Sequence, residues 1–318
     1  GGGARHARCP RRPGHAAMTL PGAPRLQRRD RSLWLDGVEL AALARAHGTP
    51  LYVYSRGAMQ AAVADYAQAL AGRPHLLCYA VKANPNLAVL QVLAQAGCGF
   101  DIVSAGELQR VLAAGGTAAQ VVFSGVGKTR AEMAHALEAG VRGFNVESLA
   151  ELERLDEVAR AHGRRAPVSL RVNPDVDART HPYISTGLKA NKFGIAMEHA
   201  RAAYHVAKAL SHLRVVGVDC HIGSQLTELA PFEDSVERVL ALVDGLAADG
   251  IVLQHLDLGG GLGIRYRDEQ PPSPEEYVKA MLMAIDRKNG RYRHLRLLIE
   301  PGRAIVGNAG LLVTRVQY

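Results

Sequence analysis

The sequence predicts an α/β chain built around a (β/α)8 barrel, with part of a second, β-rich unit attached. Three observations predict it. Eight short apolar runs recur between residues 76 and 300, separated by longer segments with helical periodicity. Nearly every run ends on a polar residue or a glycine cluster, as a barrel with its site at the carboxyl ends of its strands requires. The segments on either side of the runs are β-patterned but too short to bury themselves.

In order, the runs are LLCYAV (76–81), CGFDIV (98–103), VVFS (121–124), RGFNVE (142–147), VSLRV (168–172), VVGVDCH (215–221), LQHLDL (253–258) and LRLLIE (295–300). Between them, NLAVLQVLAQAG carries apolar residues at helical spacing and stops at glycine. SLAELERLDEVARAHG starts on a serine cap with Glu151 at the capping-box position, and also ends in glycine. A doubly wound sheet would explain the alternation too, but it would not spread polar groups over every strand end.

The flanks complete the layout. Residues 1–21 are rich in Gly, Arg and Pro, lack the apolar stretch of a secretion signal and read as a disordered leader, with Met18 a candidate first residue. Residues 22–50 read as the N-terminal segment of the β-rich unit, 51–301 as the barrel, and 302–318 as the start of a C-terminal β domain. Within these flanks SLWLDGVELAALARAHGTPLYVYS reads as strand, turn, helix and strand, and AIVGNAGLLVTRVQY as β-rich.

Composition narrows the function classes. A hydrophobic content of 48% with 21% charged residues belongs to a globular chain, and no apolar run is long enough to span a bilayer. The net charge of +8 owes four charges to Arg5, Arg8, Arg11 and Arg12 of the leader. The other basic residues are interspersed with acids, so neither a nucleic-acid nor a membrane partner is expected. Cys9, Cys78, Cys98 and Cys220 show no CxxC or metal spacing; they read as small thiols in a reducing cytosol, and no metal is expected.

The strand ends carry Lys82, Asp101, Ser124, Asn145 with Glu147, Arg171 with Asn173, His221, Gly259 to Gly261, and Glu300 with Arg303. Lys82 follows a buried run, where desolvation would disfavour its charged form and free the amine to attack a carbonyl. In DLGGGLGI the glycines open backbone N–H groups to an anion, at the usual phosphate position of barrel enzymes. In DCHIGSQL, His221 can stack on a flat ring or move a proton, and Ser224 can donate to a phosphate. In IEPGRAI, Glu300 suits a heteroaromatic nitrogen and Arg303 a phosphate or carboxylate. Taken singly, these read equally as a snorkelling lysine, a tight turn, a structural histidine and a surface ion pair. Together they match what pyridoxal phosphate requires.

At these residues the chain resembles the fold-type III pyridoxal phosphate decarboxylases, the Orn/Lys/Arg class with an alanine-racemase-like barrel. YAVKANPN, GFDIVSAGEL, HIGSQ, LGGGLGI and EPGR stand in that family's order, from about residue 30 to the end. The stretch RVNPDVDARTHPYISTGLKANKFGI (171–195) resembles the diaminopimelate branch more than the ornithine or arginine enzymes. The resemblance implies Lys82 as the Schiff-base lysine and His221 as the residue stacked on the cofactor. Asp101, Ser224, Gly259, Gly260, Gly261 and Gly302 would help bind it, Glu300 would face the ring nitrogen, and Arg303 would contact phosphate or a substrate carboxylate.

The implied reaction converts meso-2,6-diaminopimelate to L-lysine and carbon dioxide, the last step of lysine synthesis, in a cytoplasmic homodimer with shared sites. Ornithine or arginine decarboxylation, an alanine-racemase-like reaction and a catalytically incomplete cofactor-binding protein stay open at this point. The family also carries a C-terminal β domain with a Cys-Glu-Ser-like motif that completes the neighbouring subunit's site. None of the four cysteines here stands in such a motif, so the chain as given is expected to turn over slowly by itself.

Overall fold

The structure, a computed structural model, describes residues 25–176, 193–288 and 290–318. The leader, Cys9 and residues 177–192 of the discriminating stretch lie outside the described residues. The chain opens with an antiparallel sheet of β1 (Leu26–Arg29), β2 (Ser32–Leu35) and β3 (Val38–Glu39), then α1 (Leu40–His47), β4 (Leu51–Tyr54) and α2 (Arg56–Ala69). Next come β5 (His75–Ala80), α3 (Leu87–Gln95), β6 (Gly99–Ile102), α4 (Ala105–Ala113), β7 (Val121–Phe123), α5 (Arg130–Ala139), β8 (Gly143–Val146) and α6 (Leu149–Ala161). They are followed by β9 (Ala166–Asn173), β10 (Ile195–Ala196), α7 (Met197–Ala209), β11 (Leu213–Cys220), α8 (Ala230–Ala248) and β12 (His255–Asp257). The chain closes with α9 (Pro274–Asp286), β13 (Arg296–Ile299), α10 (Arg303–Val306) and β14 (Gly310–Val313).

The eight apolar runs are the eight barrel strands. They pair in parallel in the order β5-β6-β7-β8-β9-β11-β12-β13, and β13 pairs back to β5, so the sheet closes. Closure leaves no barrel edge unpaired. The two-residue β10, which sequence patterning does not reveal, adds to the end of β9. Strand β4 falls within 51–301 but lies outside the barrel sheet: it pairs antiparallel with β14, Tyr54 opposite Gly310. Its alternating half-buried and exposed residues suit a two-stranded ribbon, not a strand covered on both faces.

The barrel strands have a two-residue side-chain period, and it sorts chemistry radially. Phe100, Ile102, Phe144, Val146, Leu170, Val172, Val218 and Leu256 join one large core with the surrounding helices. Leu76, Cys78, Val122 and Leu298 form a separate small cluster inside the barrel. The alternate positions of the other strands, Asp101, Asn145, Ser169, Arg171, Asp219, His255 and Asp257, are buried and polar. The helices are thus fastened by the outward residues, while the interior carries polar groups beside one small apolar cluster.

Local signals set the helix starts. Thr129 with Glu132 and Ser273 with Glu276 form capping boxes at α5 and α9. At α6, Ser148 caps the Glu151 N–H as its sequence implies, but the Glu151 carboxylate does not complete the box. It accepts from Lys128 Nζ at 2.7 Å and from the Glu147 N–H at 2.9 Å instead. The buried ammonium is the stronger partner.

Candidate active site

Lys82 sits in a single helical turn, Val81–Ala83, directly after β5. Its Nζ donates to Asp101 Oδ2 at 2.7 Å, while half of its side-chain surface faces the open mouth of the barrel. Burial pulls the amine pKa down, but the carboxylates of Asp101 and Glu300 outweigh it and hold the group above its ordinary value. This corrects the expectation of an amine freed by desolvation. Two acids within the barrel keep it an ammonium.

His221 follows β11 and is held by its backbone surroundings. The Gly260 N–H donates to His221 Nδ1 at 3.2 Å. Burial, then the charges of Arg171 and Lys82, push the imidazole well below its usual pKa. The ring is neutral, and with Nδ1 accepting, its proton resides on Nε2.

The glycine run after β12 is dictated by space. A Cβ at Gly260 would lie 2.1 Å from the Glu300 carbonyl oxygen, and one at Gly261 2.4 Å from that of Gly223. Beyond it, Arg303 Nε donates to Ser224 Oγ at 3.3 Å, and its guanidinium also meets the Tyr266 hydroxyl.

Glu300 ends β13. Its carboxyl is buried, and Oε1 has no hydrogen-bond partner. Burial and the carboxylates of Asp101, Asp257 and Asp219 push its pKa well up. Asp257, raised to about 6 chiefly by burial, is hydrogen-bonded to Glu300 and to the Gly259 N–H. Asp219 is raised well above its ordinary value by burial and then by Asp257. Asp219, Asp257 and Glu300 bring carboxyl oxygens within 4.8 Å of one another. So packed, each disfavours charge on the others.

Two cavities of about 270 and 190 Å³ meet at these groups, both lined by Lys82, His221 and Glu300. The first continues to Ser224, Gly261, Gly302 and Arg303, the second to Asp101, Ser124, Arg171, Phe193 and Asp219. A larger cavity, about 600 Å³, lies between α2 and α9 on the outer wall, remote from the strand ends. Not every predicted strand-end residue lines the mouth. Asn145 Nδ2 donates to Ser124 Oγ, and Glu147 accepts from Arg171 Nη1, the Gly125 N–H and the Gly194 N–H, so both support the wall. Asn173 Oδ1 accepts from the Asp175 N–H and shapes a turn. Asp219 and Asp257 were not singled out from sequence; the signal was a lone aspartate at an inward position of an apolar run.

These residues fit pyridoxal phosphate on the structure's own terms. An unsatisfied buried carboxyl oxygen awaits a partner, a run of glycines brings backbone to the cavity wall where no Cβ could be accommodated, and an amine stands at the junction of the two cavities. Fold and constellation together define a pyridoxal-dependent decarboxylase. The family described as "Pyridoxal-dependent decarboxylase, pyridoxal binding domain" matches residues 56–307. Diaminopimelate decarboxylase of Pseudomonas aeruginosa is 64% identical over 91% of this chain and 69% of its own length. The enzyme of Vibrio cholerae is 58% identical over 91% of this chain and 68% of its own. Among solved structures, diaminopimelate decarboxylase from Helicobacter pylori complexed with L-lysine superposes with a TM-score of 0.84 at 42% identity, covering 87% of this chain and 69% of that one. The chain belongs to the diaminopimelate decarboxylase family, and its cofactor is pyridoxal 5'-phosphate. No helix among the described residues is long and apolar enough to cross a membrane.

Proposed function

We propose that this chain builds the site that decarboxylates meso-2,6-diaminopimelate to L-lysine and carbon dioxide. One observation carries the reading: Lys82, His221 and Glu300 line both cavities at the mouth of the barrel. Lys82 Nζ would hold the cofactor covalently, and Asp101 Oδ2, 2.7 Å away, orients the amine. Glu300, whose carboxyl is pushed well above its ordinary pKa by burial and by the neighbouring acids, would face the ring nitrogen and could hold a proton there. His221, neutral and fixed by the Gly260 N–H, offers its ring face and no competing charge. Gly259 to Gly261, Ser224 and Gly302 would surround the phosphate, and Arg303 would hold phosphate or a substrate carboxylate. When bound, pyridoxal phosphate supplies the electron sink for the charge left on the α-carbon as carbon dioxide departs.

Substrate choice is tested without relying on turnover. Diaminopimelate, ornithine and arginine are titrated in turn into the cofactor-loaded protein while its visible band is followed. Diaminopimelate should shift the band at concentrations at least tenfold lower than the other two. Equal or tighter response to ornithine or arginine would reassign the substrate.

The working form in this reading is a cytoplasmic homodimer. What supports association is the β4–β14 ribbon, which leaves Tyr52 and Leu312 exposed. Light scattering of the cofactor-loaded protein, read across a concentration series, decides between monomer and dimer.

A further inference from the structure

The barrel's other end, where its strands begin, carries a cluster that the chemistry above does not use. A cavity of about 260 Å³ opens there, lined by Arg142, Pro167, Arg214, Gln254 and His255 among others, with no acidic side chain in its wall. Register explains the arrangement. Arg142 immediately precedes β8, Arg214 is the second residue of β11, and both strands flank β9, in which Pro167 stands opposite Arg214. Two cations are therefore brought to either side of a residue that has no N–H to offer. Gln254 immediately precedes the neighbouring β12, and Arg296 opens β13.

Several surface arginines are taken up by acids. Arg130, Arg201 and Arg287 each hold a carboxylate. Among the described residues, Arg142, Arg214 and Arg296 form no ion pair, and Arg142 Nε is buried with no hydrogen-bond partner. The carboxylate whose charge reaches Arg142 belongs to Asp257, inside the barrel and already committed to the Gly259 N–H at 3.1 Å. His255 is neutral, with Nε2 at 2.9 Å from Ser169 Oγ, and adds no negative charge. A buried donor without an acceptor, next to a second unpaired guanidinium, is a costly arrangement that one small anion would relieve at both points.

We infer that this cavity binds a small oxyanion, a phosphate or carboxylate group held between Arg142 and Arg214 with Gln254 at its edge. The planar forks of two guanidinium groups suit either oxyanion. The site lies at the opposite end of the barrel from Lys82, so its occupancy is read by binding and not by turnover.

The test uses the cofactor-loaded protein, in which the strand-end phosphate position is filled. Inorganic phosphate is titrated calorimetrically at constant ionic strength, and acetate is used in a parallel arm. One equivalent of phosphate should bind, with affinity at least tenfold weaker in Arg214→Gln, whose side chain is exposed, and in Arg142→Gln. The cofactor absorbance should be unchanged in both variants. Acetate binding lost in the same variants would extend the site to carboxylates; phosphate binding alone would restrict it to phosphoryl groups. No binding of either anion, or binding that survives both substitutions, would overturn the inference.

Discussion

The Lys82 ammonium lies 2.7 Å from Asp101 Oδ2, one strand away across the β5–β6 pair. Burial would release the proton, and the neighbouring carboxylates retain it. The nucleophile of the proposed chemistry is therefore stored in its unreactive form. This sets the first expectation. In Asp101→Asn, a negative charge that raises the Lys82 pKa is lost while burial remains, so the amine deprotonates at lower pH. The pH profile for the rate of cofactor capture should move towards acid relative to the wild type, by stopped-flow absorbance. A profile that stays in place would show that Asp101 does not control the amine.

Replacing Glu300 by Gln keeps the shape of the site but removes the group that can gain or lose a proton at the ring nitrogen. Decarboxylation should fall by roughly 100-fold, within the range for a lost proton-holding group, with the cofactor still attached. Comparison of kcat and KM locates the loss, which is expected in kcat.

At Gly260 a methyl group would stand 2.1 Å from the Glu300 carbonyl oxygen. Gly260→Ala should cost about 1–3 kcal/mol of overpacking, read as a 10- to 100-fold loss of cofactor affinity. Gly127→Ala, with open space around its Cβ and no left-handed backbone, serves as the control and should leave affinity unchanged.

Lys128 is buried, with Nζ donating to the Gly125 and Asn145 carbonyls and to Glu151 Oε1. Lys128→Met strands the Glu151 carboxylate, so thermal unfolding should show a loss of about 3–5 kcal/mol. Because that carboxylate also accepts from the Glu147 N–H, the wall around Arg171 should loosen with it. The double variant Lys128→Met, Glu151→Gln should regain part of the stability, since the uncompensated charge is gone.

His255 is held neutral by burial and by Arg142 and Arg296, its pKa lowered to about 3 against 6.5 in the unfolded chain. A depressed folded value contributes stability that is present above pH 6.5 and is lost as pH falls towards 3. The urea midpoint should therefore drop on acidification through that window, and His255→Gln should flatten the drop. An unchanged slope in the variant would assign the acid sensitivity to other groups.

The legible part of the fold was what two-residue and 3.6-residue periods encode. All eight barrel strands were visible because their outward residues, such as Phe100, Phe144 and Leu170, are continuous with the apolar core. Lys82, His221, Glu300 and the glycine run were visible because each breaks an apolar run at its carboxyl end. Three features were hidden for physical reasons. Strand β10 has only two residues and no period. The partner of β4 is β14, more than 250 positions away, and no local pattern encodes so distant a pairing. Glu151 looked like a capping-box residue because the box is local, whereas the ammonium that takes its carboxylate comes from Lys128, on another loop.

Covalent attachment at Lys82 is the claim on which the rest depends. Borohydride reduction of the cofactor-loaded protein, followed by proteolysis and peptide mapping, measures it directly. A single pyridoxyl label is expected, on Lys82, and it should be absent in Lys82→Ala. A label on any other lysine, with Lys82 left unmodified, would contradict it.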